Sequence, residues 1–190
     1  EQLATAPIPH LGTKDEPSQL GDVLYKDQDG DGLITNKDYV SMGNPHPDFT
    51  YGFTNNFRYK TFELNIVLQG SQGNDVLNLT RRAGTSNSQL YQNQLAEAAA
   101  FWTPDNVNAK YPRPVLDAKG HANMVISDRY VEDGSYLRIQ NLTFAFSLPS
   151  DVVNKAKLSK VRLYTGIQNL YTFTNYSGYD PEVGSLNQDA

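Results

Sequence analysis

From Tyr51 to Lys60 the chain alternates strongly. Tyr51, Phe53, Phe57 and Tyr59 fall on one face, and Gly52, Thr54, Asn56, Arg58 and Lys60 on the other. A period of two marks a β-strand with two unlike faces. The phase restarts after Thr61, where Phe62, Leu64, Ile66 and Leu68 are opposed by Glu63, Asn65 and Gln69. Two such runs meeting at Lys60–Thr61 predict a tight hairpin. The turn lacks an Asn-Gly pair, which leaves its type open. A second pair follows. In Ser135–Leu148, Leu142, Phe144, Phe146 and Leu148 share a face, and strict alternation puts Arg138 and Gln140 on that same face. In Val161–Phe173, Val161, Leu163, Ile167 and Tyr171 share one face, and Arg162, Tyr164, Gly166 and Gln168 the other. Between these runs, Pro149–Lys160 predicts a short helical turn, with Ser150 or Asp151 as its cap.

The remaining chain is less periodic. Residues 1–24 read as an irregular lead-in, broken by Pro7, Pro9, Gly12, Pro17 and Gly21. Residues 70–135 read as a long surface loop with one short helix, placed at the Ala-rich stretch Leu95–Phe101. Loops of that length are usually functional or disordered. The end of the chain, from Asn175, is turn-like.

Strands of roughly ten residues exceed the usual length of about 5–6. Alternation alone admits two sheets: a soluble sheet with one wet face, or a barrel wall with a lipid face and a polar lumen face. Composition narrows the classes without choosing between these two. The 190 residues carry 16 Lys+Arg and 21 Asp+Glu, a net charge of 16 − 21 = −5, and no cysteine. Disulfides, thiolate zinc sites and cysteine nucleophiles are excluded. The acidic balance opposes a nucleic-acid partner, which needs a basic stripe. Apolar residues make up only 38%, with no run of about 18 that would make a transmembrane helix. Membrane-spanning strands need no such run. Tyr51, Tyr59, Tyr136 and Tyr171, near strand ends, fit an interfacial aromatic girdle as well as an ordinary sheet core.

The sharpest local motif is DQDGDGLITNKD, Asp27–Asp38. Its spacing matches that of a calcium loop. Asp27, Asp29 and Asp31 bring three carboxylates to one hard cation, and Gly32 permits the sharp turn. Leu33 offers its backbone carbonyl, Thr35 a direct or water-mediated contact, and Asp38 the closing carboxylate. Position twelve is Asp rather than Glu, so its reach is shorter. The flank GDVLYK reads as strand-like, and Lys37–Met42 is followed at once by Gly43-Asn44-Pro45, which makes this a calcium-type loop outside a helix–loop–helix hand. Its expected role is structural. The bland alternative is a solvated Asp/Gly turn that binds nothing.

Catalytic chemistry is hardly represented. His10, His46 and His121 lack metal-ligand spacing. GSQG at Gly70–Gly73 is not a nucleophile elbow. Asp133, Asp180 and Glu182 lie in turn-like stretches, where acids are common for conformational reasons. No enzyme is expected.

Four blocks together resemble one family. GDVLYKDQDGDGLITNKDYVSMGNPHPDFTYGFTNNFRYKTFELNIVLQGSQGNDVLN, FWTPDNVNAKYPRP, DRYVEDGSYLRIQNLTFAFSLP and VRLYTGIQNLYTFTNYSGYDPEV resemble, in order, late segments of the SusC/RagA TonB-dependent outer-membrane transporters. The resemblance runs from about Gly21 to Val183. It implies an all-β fold: antiparallel strands forming part of a transmembrane outer-membrane β-barrel, with long extracellular loops and a short helix in one of them. Residues 25–190 would be a C-terminal portion of that barrel, without the plug and most strands and short of the final strand. The implied function is import of oligosaccharides or peptides across the outer membrane of a Gram-negative bacterium. The implied partners are a SusD-like surface lipoprotein, the TonB complex reached through the missing N-terminal part, and outer-membrane lipid. Phe144, Phe146, Leu148, Leu163 and Ile167 would face lipid. Arg58, Glu63, Asn65, Arg162 and Gln168 would face the lumen. From another class, a soluble calcium-stabilised β-sandwich that binds glycans also accommodates the alternation and the aspartate loop.

Overall fold

The structure is a computed structural model that describes residues 6–9, 17–86, 93–115 and 122–182. In chain order its strands are β1 (Ile8–Pro9), β2 (Leu33–Ile34), β3 (Phe49–Tyr59), β4 (Phe62–Gln72), β5 (Asp75–Leu77), β6 (Val131–Asp133), β7 (Tyr136–Ser147) and β8 (Arg162–Thr174). Two short helices, α1 (Leu79–Thr85) and α2 (Ser150–Lys155), accompany them. The chain forms two compact units, one of residues 1–42 with 77–131 and one of 43–76 with 132–190.

The second unit is built on an antiparallel sheet in the order β3-β4-β7-β8. Tyr59 opposes Phe62, so Lys60 and Thr61 alone make the hairpin turn. Lys60 takes φ 54°, the left-handed conformation such turns demand. Cross-strand partners share a face, and the register sorts the sheet cleanly. Phe57, Leu64, Phe144 and Thr165 form one row, and Asn55, Ile66, Leu142 and Ile167 the next. The opposite face carries rows such as Asn56, Asn65, Thr143 and Gly166. Arg58, Glu63, Asn65, Arg162 and Gln168 all lie on this polar face. Phe144, Phe146, Leu163 and Ile167 lie on the apolar one. Leu148 follows the last residue of β7.

Strict alternation fails at one place in β7. Leu68 pairs with Ile139, but Val67 pairs with Asn141, leaving Gln140 as an extra residue. Such a bulge reverses the phase of everything before it. Arg138 and Tyr136 therefore lie on the polar face, not with Leu142 and Phe144 as alternation predicts. At the same level β8 holds two extra residues, Asn169 and Leu170, between Gln168 and Tyr171. Two extra residues preserve the phase, and Asn169 absorbs the distortion at φ 50°.

The helices also depart from expectation. Leu95–Phe101 gives only a 3-10 turn, Ala96–Ala99. A few alanines cannot meet the cost of nucleating a helix when Pro104 follows closely. The helix near that loop is α1 instead, where the Asn78 side chain accepts a hydrogen bond from Arg81 N at 2.8 Å. At α2 the cap position is Pro149, without a side-chain cap, and Ser150 and Asp151 lie inside the helix. Gly21–Lys26 forms no strand.

The first unit has a small conventional core that includes Ile34, Ala98, Tyr111 and Tyr130. Ile8 N donates to Gly32 O at 3.0 Å, which ties β1 to β2 in parallel. The second unit distributes its apolar side chains differently. Its buried apolar residues are Val76, Tyr136, Ala145 and Val153, while Phe49, Phe53, Phe57, Phe62, Phe144, Leu163 and Phe173 are exposed. An apolar sheet face of this extent is an interaction surface, since soluble monomers rarely expose one.

Candidate functional site

The aspartate loop is organised by its own carboxylates. Asp27 accepts from Gly30 N at 2.6 Å and Gly32 N at 2.8 Å. Asp38 accepts from Gln28 N at 2.8 Å and Thr35 N at 2.7 Å. Gly30 and Gly32 take φ 78° and 82°, which favour glycine. Ligand oxygens of Asp27, Asp29 and Asp38 lie within 4.8 Å of one another. Asp31 stands outside that group. Its carboxylate lies 3.8 Å from Lys37 Nζ, as does that of Asp29. Leu33 opens β2, and its amide donates to Asp31 at 2.9 Å. Thr35 caps the 3-10 turn Asn36–Asp38 in a reciprocal capping box with Asp38. Backbone donors, first Thr35 and then Gln28, hold the buried Asp38 carboxyl below its ordinary range. Ile34, 3% exposed, anchors the loop on the core.

A second constellation joins Gly21-Asp22 to the Trp-Thr-Pro and Pro-Arg-Pro stretches. A Cβ on Gly21 would sit 2.5 Å from the Trp102 ring, so only glycine lets the indole pack there. Arg113 N donates to Gly21 O at 2.8 Å, and Arg113 Nε donates to Asp22 Oδ1 at 2.7 Å. Asn123, 2% exposed, donates to Asp22 Oδ1 at 2.9 Å and accepts from Val23 N at 2.8 Å. The start of the first block that carries the family resemblance and the second block thus interlock within one unit. Asn123 had no legible signal in the sequence, because a lone Asn in a loop is ordinary.

The polar face of the sheet carries two polar ladders. Asn65 donates to Asn56 at 2.6 Å, and Asn141 donates to Asn65 at 3.1 Å. Glu63 accepts from Arg58 Nε at 3.0 Å and from Arg162 Nη2 at 2.7 Å. Near the other end of the strands, Arg138 meets Asp180 and Glu182. These two acids converge on an arginine, which makes them ion-pair partners. Asp133 stays apart and accepts from Ser135 N at 2.9 Å.

No family model matches the sequence. The TonB-dependent receptor P3 of Formosa agariphila is 42% identical over 172 residues, covering 90% of this chain and 16% of that protein. SusC of Bacteroides thetaiotaomicron, also a TonB-dependent receptor, is 28% identical over 176 residues, covering 90% and 16%. The structure of the RagAB peptide transporter superposes with a TM-score of 0.64 at 26% identity, covering 75% of this chain and 15% of that one. The RagAB peptide importer in its closed-closed state gives 0.61 at 26% identity, with the same coverage. The chain belongs to the SusC/RagA-type TonB-dependent receptors. It spans about one sixth of the length of the relatives it matches. In a SusC/RagA-type receptor the four long strands are part of a β-barrel wall. That accounts for the exposed apolar face, and for β3 and β8, each of which pairs on one side only among the described residues.

Proposed function

We propose that this chain serves as barrel wall in a TonB-dependent importer of the outer membrane of a Gram-negative bacterium. The importer takes up oligosaccharides or peptides, with a SusD-like surface lipoprotein over its mouth and energy relayed by TonB. The observation that carries this reading is the sorting of the sheet into an exposed apolar face and a hydrogen-bonded polar face. A wall between lipid and an aqueous lumen needs that alternation. A β-sandwich needs a second sheet that buries the apolar face, whereas Phe53, Phe57, Phe144 and Leu163 on that face are exposed. Similarity to a peptide importer supports the peptide class, and the family resemblance of the sequence implies the oligosaccharide class. The test is uptake of labelled oligosaccharides and peptides by cells carrying the full-length receptor. Uptake must disappear when the receptor or TonB is deleted, and the receptor must fractionate with the outer membrane. Recovery in the soluble fraction sinks the reading.

Within the same reading, the aspartate loop holds one structural Ca2+. Asp27, Asp29 and Asp38 supply carboxylates, Leu33 its carbonyl, and Thr35 a direct or water-mediated contact. Asp31 joins by exchanging Lys37 for the cation. Carboxylate oxygens that already accept one amide keep a lone pair for a metal. The convergence of three carboxylates supports this set.

A further inference from the structure

Arg138 is 7% exposed, and a guanidinium that deeply buried needs fixed partners. It finds them in the segment that follows β8. Arg138 Nη2 donates to Asp180 Oδ1 at 2.6 Å, Nη1 donates to Glu182, and Nε donates to Thr172 Oγ1 at 2.9 Å. Glu182 also accepts from the Tyr136 hydroxyl at 2.6 Å and from Gln69 Nε2 at 3.2 Å. Gln69 belongs to β4, which is separated from β8 by β7. The segment therefore leaves β8 and crosses back over β7 to reach β4. Two further ties hold its start: Thr174 Oγ1 donates to Ser135 O at 2.9 Å, and Ser177 donates to Glu132 from both N and Oγ at 2.8 Å. Pro181, between the two acids, is buried.

We propose that residues 175–182 are a strap folded over the polar face of the sheet and latched there by Arg138. The latch depends on the bulge at Gln140. Without that extra residue, alternation would turn Arg138 to the apolar face, away from Asp180 and Glu182. The strap covers Gln69, Tyr136 and Arg138, so its position narrows the space beside them. Only the naming of that space as the lumen rests on the barrel reading. One arginine faces two carboxylates, and removing it leaves both acids without their cation. The strap should then detach while the strands stay paired.

The test is hydrogen exchange on the full-length receptor in detergent, comparing wild type with Arg138→Ala and Arg138→Lys. Charge-assisted hydrogen bonds are strong enough that losing the two to Asp180 and Glu182 should speed exchange across 175–182 at least about tenfold. Arg138→Lys, which keeps the charge but not the fork, should fall between. Exchange in β4 and β8 should not change. A folded Arg138→Ala receptor with unchanged exchange across 175–182 overturns the proposal. Should Arg138→Ala fail to assemble, Asp180→Asn with Glu182→Gln removes the same pairs and leaves the arginine in place. Unchanged protection there overturns it equally. Loss of uptake alone, with the strap still protected, would count against the strap and leave the importer reading standing.

Discussion

Arg113 Nε donates to Asp22 Oδ1 at 2.7 Å, across 91 residues of sequence. Burial disfavours the Asp22 carboxylate, but bonds from Arg113, Gln19 and Asn123 outweigh it and hold the carboxyl below its ordinary range. A lowered folded-state pKa stabilises at pH values above the unfolded one. This contribution should be complete at neutral pH and fade as pH falls below about 3.8 towards the folded value. At pH 7, Asp22→Asn should cost the local structure roughly 1–3 kcal/mol. Hydrogen exchange of residues 19–25 in the full-length receptor, corrected for intrinsic rates, reads both effects. A variant whose protection matches wild type at pH 7 removes the pair as a source of stability.

The four strands and the Lys60–Thr61 turn were legible because a period of two runs through most of each strand. The phase of Arg138 was not, because a bulge consists of one unpaired residue that carries no composition of its own; Gln140 reads like any polar strand residue. The aspartate loop was legible as a motif, since its spacing is set by local geometry. Lys37 between Asp29 and Asp31 was not, because side-chain direction within a turn is absent from the spacing. The Ala-rich stretch misled for a different reason. Propensity counts residues, whereas Phe101 bridging to Tyr111 and Trp102 N bonding to Tyr111 O commit the end of that stretch to an extended path.

Calcium should tighten the aspartate loop. Chelation should speed hydrogen exchange across residues 27–38 in the full-length receptor, and added Ca2+ should restore protection. Asp27→Asn should abolish the response, because Asp27 both orders the two glycines and contributes to the carboxylate group. Lys37→Ala should strengthen Ca2+ binding severalfold, since the ammonium occupies the space between Asp29 and Asp31. Equal exchange with and without Ca2+ in wild type would remove the metal from the account.

The two faces of the sheet should tolerate charge unequally. Ile66 lies mid-strand on the apolar face, between Asn55 and Leu142. An arginine there should cost about 2–4 kcal/mol if that face meets the bilayer midplane. Thr54, mid-strand on the polar face opposite Val67, should accept arginine at a cost of about 1 kcal/mol or less. Heat-modifiable migration of the two full-length variants, followed by urea titration in detergent, compares them. Equal penalties would mean the faces are not sorted between lipid and lumen.

Gln140 should matter for its presence and not for its side chain. Gln140→Ala keeps the extra residue, so β7 retains its phase and the receptor should assemble normally. Deleting Gln140 removes the register shift between Ile139 and Asn141. Continuous alternation would then carry Tyr136 and Arg138 to the apolar face, and Leu137 and Ile139 to the polar one. An arginine driven towards lipid costs several kcal/mol if it lies deep, and the ion pairs to Asp180 and Glu182 are lost as well. The alternative for the deletion variant is to slip the start of β7 by one residue against β4 and β8, which strains the Gly134–Ser135 turn. Either route should leave the deletion variant poorly assembled while Gln140→Ala matches wild type, as read by heat-modifiable migration of full-length protein from the outer membrane. A deletion variant that assembles as well as wild type would show that the bulge does not set the phase.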